Sequence, residues 1–339
     1  MIDFNTVNRT FRYLCITLIA VSLSVVSCKK ETPVDETKPA VKGIVLFSVG
    51  EVALLKEGQT EVPLEIQATV GSGDTVKTGA KSFTTIQFED KGLIRIQENT
   101  TLCLTSLFGE GNGELLLKNG QVLTKINRLM KGEQFQIKTP TAVASVRGTE
   151  YSTSYKNGRS LIAVKQGKVA VATKEAAAEG AEADYTEKVV IEEGNTAVVI
   201  TIEGEGETAA TKVETRPISE VESLTVQKVS MIEMVPEPEK KSKEELEEMQ
   251  RAVIKEEIKI DKDLAPREKQ EKIMTMIEKK NNTLEEIKEV FERIDEISLY
   301  NGRMIQGAII SRGDKYKVLT TTGTMDINES DIKKVRVIK

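Results

Sequence analysis

From Gly43 to about Ile202 the chain alternates apolar and polar residues with a period of two, in short runs cut by glycine turns. That period places every second side chain on one face of a strand, so the stretch predicts an all-β region. Ile86 and Phe88 share a face, Glu89 to Gly92 make a turn, and Ile94 and Ile96 return on one face of the next strand. Asn119-Gly120 separates Leu115-Leu116-Leu117 from Val122-Leu123 and suits a tight hairpin, whose two central residues need positive φ. Ile162 and Val164 are answered across Lys165-Gln166-Gly167-Lys168 by Val169 and Val171. Lys188 to Ile191 and Thr196 to Ile200, joined through Glu192-Glu193-Gly194-Asn195, predict another hairpin. The Ala/Glu-rich interval Glu175 to Glu187 has weak strand propensity and reads as an exposed excursion.

Composition narrows what can fill such a core. Apolar residues make up 39% of the 339 positions, enough for packed domains, but aromatics are only 4% and Trp is absent, so packing falls to Val, Ile and Leu.

The first residues read as an address. Arg9 and Arg12 form a positive region, and Tyr13 to Val26 an apolar stretch shorter than the about 20 residues of a membrane-spanning helix. Val25-Val26-Ser27-Cys28 follows and resembles the lipobox of bacterial lipoproteins, which implies a signal peptide over residues 1–27 and acylation of Cys28. Acyl chains bury roughly 0.8 kcal/mol per CH₂, so several together hold a soluble domain at a bilayer. An ordinary secretory signal or short anchor, with Cys28 incidental, is the alternative. Residues 28–42 then read as a tether. Lys29 lacks the Asp that retains some lipoproteins at the inner membrane. Cys15 would leave with the signal, so Cys103 would be the one free thiol, a small apolar filler in a strand.

Within residues 43–202 a series of cues resembles the FecR domain family. In order they are Gly50-Glu51-Val52, Gly73-Asp74-Thr75-Val76-Lys77-Thr78-Gly79, Asp90-Lys91-Gly92, Phe135 to Ala142, Val146-Arg147-Gly148-Thr149-Glu150-Tyr151, and Val164 to Val169. The resemblance implies a compact extracytoplasmic β domain, solenoid-like or sandwich-like. Arg147, Gly148, Thr149 and Glu150 read first as a fold signature: Gly148 takes a backbone conformation closed to other residues, and Arg147 pairs with Glu150 or with nearby carbonyls. Direct ligand contact is the other reading. Founding members relay a receptor signal to a cytoplasmic sigma factor through a cytoplasmic N-terminal region. Here only Met1 to Arg12 precede the apolar segment, which argues against direct sigma binding.

Residues 203–240 are polar, with Pro236-Glu237-Pro238, and read as a linker. Residues 241–296 predict charged amphipathic helices. Ser242-Lys243-Glu244-Glu245 and Thr283-Leu284-Glu285-Glu286 fit capping boxes, and Pro266 separates a helix near 243–261 from one beginning near 266. Ile273, Ile277, Leu284, Ile287, Phe291 and Ile294 form an apolar stripe for another helix or the β domain, with self-association through residues 266–297 as one use. Residues 297–339 predict five short strands closing into a small barrel.

The same residues restrict the chemistry. There is no His, hence no His-dependent triad or imidazole metal site, and one mature thiol cannot build a thiolate cluster. No Walker-type phosphate loop occurs, and no cofactor is expected. The formal charge is −5, and −6 without residues 1–27, so no basic patch suits nucleic acid. The expectation is a mainly β, non-enzymatic protein, lipid-anchored in the cell envelope, that binds another envelope protein as an interaction or scaffold module. A sensory accessory in envelope signalling is the alternative.

Overall fold

The computed structural model describes residues 41–56, 59–109, 111–174, 185–204, 207–279 and 281–338. The signal peptide, Cys28, nearly all of the tether and residues 175–184 of the expected excursion lie outside the described residues.

Among the described residues of 43–217 there are seventeen strands. In chain order they are β1 (Gly43–Val49), β2 (Val52–Leu55), β3 (Val62–Pro63), β4 (Thr69–Val70), β5 (Thr75–Thr78), β6 (Phe83–Phe88), β7 (Gly92–Ile96), β8 (Thr101–Gly109) and β9 (Asn112–Ile126), followed by β10 (Gln134–Lys138), β11 (Ala142–Val146), β12 (Thr149–Lys156), β13 (Arg159–Gln166), β14 (Lys168–Lys174), β15 (Tyr185–Glu192), β16 (Asn195–Gly204) and β17 (Glu207–Pro217). They form two stacked sheets. Sheet I runs β4-β1-β6-β7-β9-β12-β13-β16-β17. Sheet II runs β3-β2-β5-β8-β9-β10-β11-β14-β15, with β9 and β10 parallel and the other pairs antiparallel.

The alternation read from the sequence points inward from both sheets. Val45, Ile86, Phe88, Ile94 and Val122 of sheet I meet Leu54, Val76, Leu102, Leu115 and Ile137 of sheet II in one buried cluster. Each such side chain contributes roughly 1.5–3 kcal/mol relative to exposure. Phe108 links Phe88, at 6.3 Å between ring centroids, to Phe135, at 5.7 Å.

Three of the expected hairpins are corners instead. Asn119-Gly120 lies within the continuous strand β9, whose first half pairs in sheet II and whose second half pairs in sheet I. Gly120 has φ +99°, and a Cβ there would sit 2.2 Å from Thr100 Oγ1 and 2.6 Å from its Cα. Gly167 likewise carries the chain from β13 in sheet I to β14 in sheet II, and Glu193-Gly194 carries it from β15 to β16. A glycine with positive φ serves a hairpin and a corner equally; the neighbouring strand it stacks on decides between them. By contrast the β6–β7 hairpin forms as expected, with Ile86 opposite Ile94.

The segment read as a linker is largely ordered: β17 and helix α1 (Glu220–Ser230) fall within it. Over residues 211–217 no side chain is fully buried, as suits an edge strand paired on one side with β16. Helices α2 (Lys243–Glu278) and α3 (Leu284–Phe291) follow, and Ser242 and Thr283 form the expected capping boxes. The expected break at Pro266 is absent, since α2 runs through it. Pro266 and Lys262 are both exposed, so the carbonyl that loses its partner reaches water, while buried Leu264 and Met276 hold the helix on either side.

Leu46, Phe47, Leu93 and Leu123 on the outer face of sheet I are covered by Val226 and Val229 of α1, then Ile232 and Val235, then Leu246 of α2. The C-terminal strands β18 (Ile294–Leu299), β19 (Met304–Ser311), β20 (Lys315–Thr320), β21 (Gly323–Asn328) and β22 (Ile332–Ile338) form a sheet of order β21-β20-β19-β18-β22. The five strands agree with the sequence reading, but the sheet does not close into a barrel: β21 and β22 remain edges. Met276, Ile287 and Ile294, with Leu284 and Phe291, pack against Ala308 and Leu319, so much of the helical stripe is covered by this sheet. Among the described residues no helix is long and apolar enough to cross a membrane.

Candidate functional site

At one end of the sandwich, four crossings between the sheets stack side by side: Asn127-Arg128, Arg147-Gly148, Gly167 and Glu193-Gly194. The main chain ties them together. Leu129 N donates to Arg147 O at 3.0 Å, Thr149 Oγ1 to Lys168 O at 3.0 Å, and Gly194 N to Val164 O at 2.9 Å. Gly148 has φ +145°, and a Cβ there would lie 3.1 Å from the Arg128 Cα. A Cβ on Gly167 would lie 2.8 Å from the carbonyl oxygen of Gly148. Neighbouring corners therefore approach more closely than side chains allow.

Between these corners lies an open depression of about 670 Å³, lined by Lys125, Arg128, Arg147, Lys168, Glu150 and Glu193 around the two glycines. Glu150 sits 3.8 Å from Lys125 Nζ, and Glu193 accepts from Gly167 N at 3.3 Å. Lys168 pairs with Glu192 at 2.7 Å. Lys125 also donates to Ser230 O at 2.8 Å and Ile232 O at 3.1 Å, fastening the end of α1 to the sandwich. Burial pushes the Lys165 ammonium below its ordinary range, and nearby Glu150 partly restores it.

The four signature residues come together here. Gly148 is the corner, Thr149 is buried and bonded, Glu150 faces Lys125, and Arg147 is exposed. Arg147 was expected to pair with Glu150 or with nearby carbonyls, and among the described residues its side chain makes neither contact. Strand alternation separates it from Glu150: Arg147 lies before the corner and Glu150 one step into β12, beside Lys125 on β9. Other cues hold the opposite end. Gly79 N donates to Glu51 O at 2.8 Å, Thr100 N to Thr78 Oγ1 at 3.0 Å, and Thr139 and Thr141 both reach Ser160 Oγ, at 2.7 and 2.6 Å.

A second polar locus escaped the sequence reading. Arg95, on the outer face of sheet I and 1% exposed, makes a two-pronged contact with Glu257 of α2, at 2.5 and 2.6 Å. Its guanidinium stacks 3.6 Å over the Phe83 ring. Burial pushes the Glu257 carboxyl up and the Arg95 guanidinium down, in each case against the attraction of the partner. The one available signal was a charged residue inside the apolar run Leu93-Ile94-Arg95-Ile96. Cys103 is half-buried in β8, and no cluster of acidic or thiol ligands suited to a metal occurs among the described residues. The corner depression offers cations and backbone for binding.

Comparison with curated proteins finds no match. Two crystal structures of a protein from Parabacteroides distasonis, provisionally described as an anti-sigma factor, align at 15% identity with TM-scores of 0.32 and 0.31. Each alignment covers 41% of this chain and 59% of the other. Residues 74–170 match the FecR protein family, a span running from the Asp74 turn through the Arg147-Gly148 corner to β14. The chain thus carries a FecR-family domain, embedded in a larger β sandwich and followed by helices and a small sheet.

Proposed function

We propose that this chain is a non-enzymatic protein of the cell envelope, held at a membrane by lipid on Cys28, whose FecR domain binds another envelope component. The FecR match carries the reading and supports a role related to envelope signalling. The lipobox-like Val25-Val26-Ser27-Cys28 supports the anchor. The shape of the candidate site agrees with binding: an open, charged depression on rigid corners suits recognition of a partner group.

Within that reading a scaffold role is favoured by the covered outer face of sheet I, which makes sandwich, helices and C-terminal sheet one contiguous body able to present several surfaces. A sensory accessory role is the second reading, and the FecR domain itself favours it. Labelling cells with radioactive palmitate tests the anchor: label on the wild type and none on Cys28→Ala is expected, and equal labelling refutes lipidation at Cys28. Transcript profiling of a deletion strain separates the two roles. One narrow regulon supports signalling, whereas a broad envelope-stress response supports scaffolding.

A further inference from the structure

We infer that the corner depression is a binding site for a phosphate monoester, gripped by Arg128 and Arg147. The other cations around it are opposed by carboxylates, while the Glu193 carboxylate on its rim has no cation opposite it among the described residues. Glu150 is opposed by Lys125, Lys168 is held by Glu192, and Glu193 accepts from the Gly167 amide. Arg128 and Arg147 are both exposed and make no side-chain hydrogen bond or ion pair among the described residues.

Their backbones are fixed beside one another, because Leu129 N bonds Arg147 O at 3.0 Å and the Arg128 Cα lies against Gly148. Two guanidinium groups on adjacent rigid corners repel, and an anion placed between them removes that repulsion while filling both planar forks. A phosphate monoester carries about −1.5 to −2 charges on a single group near neutral pH, whereas a carboxylate carries one. The volume of about 670 Å³ is larger than a bare phosphate and leaves room for the group that bears it. The site stands out further because the whole chain carries a formal charge of −5. The phosphate can belong to a lipid headgroup or to a soluble ester, since the site grips the phosphate itself. The ligand class rests on the placement of the two arginines on adjacent corners and is independent of the lipid anchor.

The test is calorimetric titration of the full chain, in detergent, with glycerol phosphate and separately with hexaglutamate. Glycerol phosphate is expected to bind, and Arg128→Gln and Arg147→Gln are each expected to weaken it about tenfold or more at unchanged melting temperature. Should either glutamine variant melt lower, the corresponding lysine variant retains the stem and charge and is expected to bind with intermediate affinity. Absence of glycerol phosphate binding, binding indifferent to both substitutions, or binding of hexaglutamate alone would each overturn the proposal. Flotation of the full-length Cys28→Ser chain with vesicles then separates the sources. Preference for phosphatidic acid over phosphatidylglycerol supports a lipid headgroup, and binding of the soluble ester without vesicle capture supports a free phosphate ester.

Discussion

Replacing Glu257 by Leu is expected to loosen the helical layer from sheet I. Arg95 would keep its charge in a site where it is 1% exposed, with the Phe83 ring on one side and no carboxylate opposite. Removing one member of a buried pair costs about 3–5 kcal/mol, most of it the burden of the stranded charge. Asp261 lies one helical turn further on and already attracts Arg95 through space, but it is held by Lys228 at 2.6 Å and offsets the lost carboxylate only in part. For a body of this size the loss corresponds to a fall in melting temperature of roughly 5–8 °C. The double variant Arg95→Met, Glu257→Leu is expected to recover nearly all of it. Burial outweighs attraction for both partners in the wild type, so an apolar pair of similar volume is close to neutral. Glu257 also sets a pH slope. Its folded pKa lies above the ordinary 4.5, so its contribution to stability declines as pH rises from 4.5 through the folded value, and Glu257→Leu removes that decline. Equilibrium urea unfolding of the wild type, both single variants and the double variant, followed by far-ultraviolet circular dichroism, completes the cycle. A Glu257→Leu cost below about 1 kcal/mol, or a double variant as unstable as the single, would refute the reasoning.

Gly148→Val is expected to unfold the sandwich, because the residue has φ +145° and its Cβ would press within 3.1 Å of the Arg128 Cα; an unchanged melting temperature in calorimetry would contradict this. Acylation at Cys28, read by mass spectrometry of the N-terminal peptide, should be unaffected by that substitution. Glu222 joins α1 to β16 and β17. Burial opposes its ionisation, yet Arg216, the Ser219 amide and Thr196 together hold its carboxyl below the usual 4.5. Its contribution to stability is therefore present above pH 4.5 and lost as pH falls through the folded value. Glu222→Gln should lower the melting temperature near neutral pH and narrow its gap to the wild type in acid; an equal gap at both pH values would refute the assignment.

Local chemistry made much of this protein legible from sequence. Alternation at period two identified the inward residues Ile86 and Phe88 of β6 and Ile94 and Ile96 of β7, since the facing of a strand residue depends only on its parity. The capping boxes at Ser242 and Thr283 were readable because a helix start is satisfied by residues three positions apart. The FecR cues were readable because close-packed corners tolerate few residue types, Gly148 and Gly167 above all.

What tertiary structure decided were contacts between residues far apart in the chain. Gly120 is a corner within β9 rather than a hairpin because Thr100 packs against it, and nothing near residue 120 announces that neighbour. Pro266 was readable as a helix break, but packing before and after it carries α2 through. Five strands at the C-terminus were apparent locally, whereas barrel closure depended on β21 meeting β22, which it does not. The Arg95–Glu257 contact spans 162 positions, and the gathering of Arg128 and Arg147 depends on the stacking of separate corners. Local sequence sets the parity, caps and turns of each element; the pairing of distant surfaces, where desolvation and charge are balanced, exists only once the chain has folded.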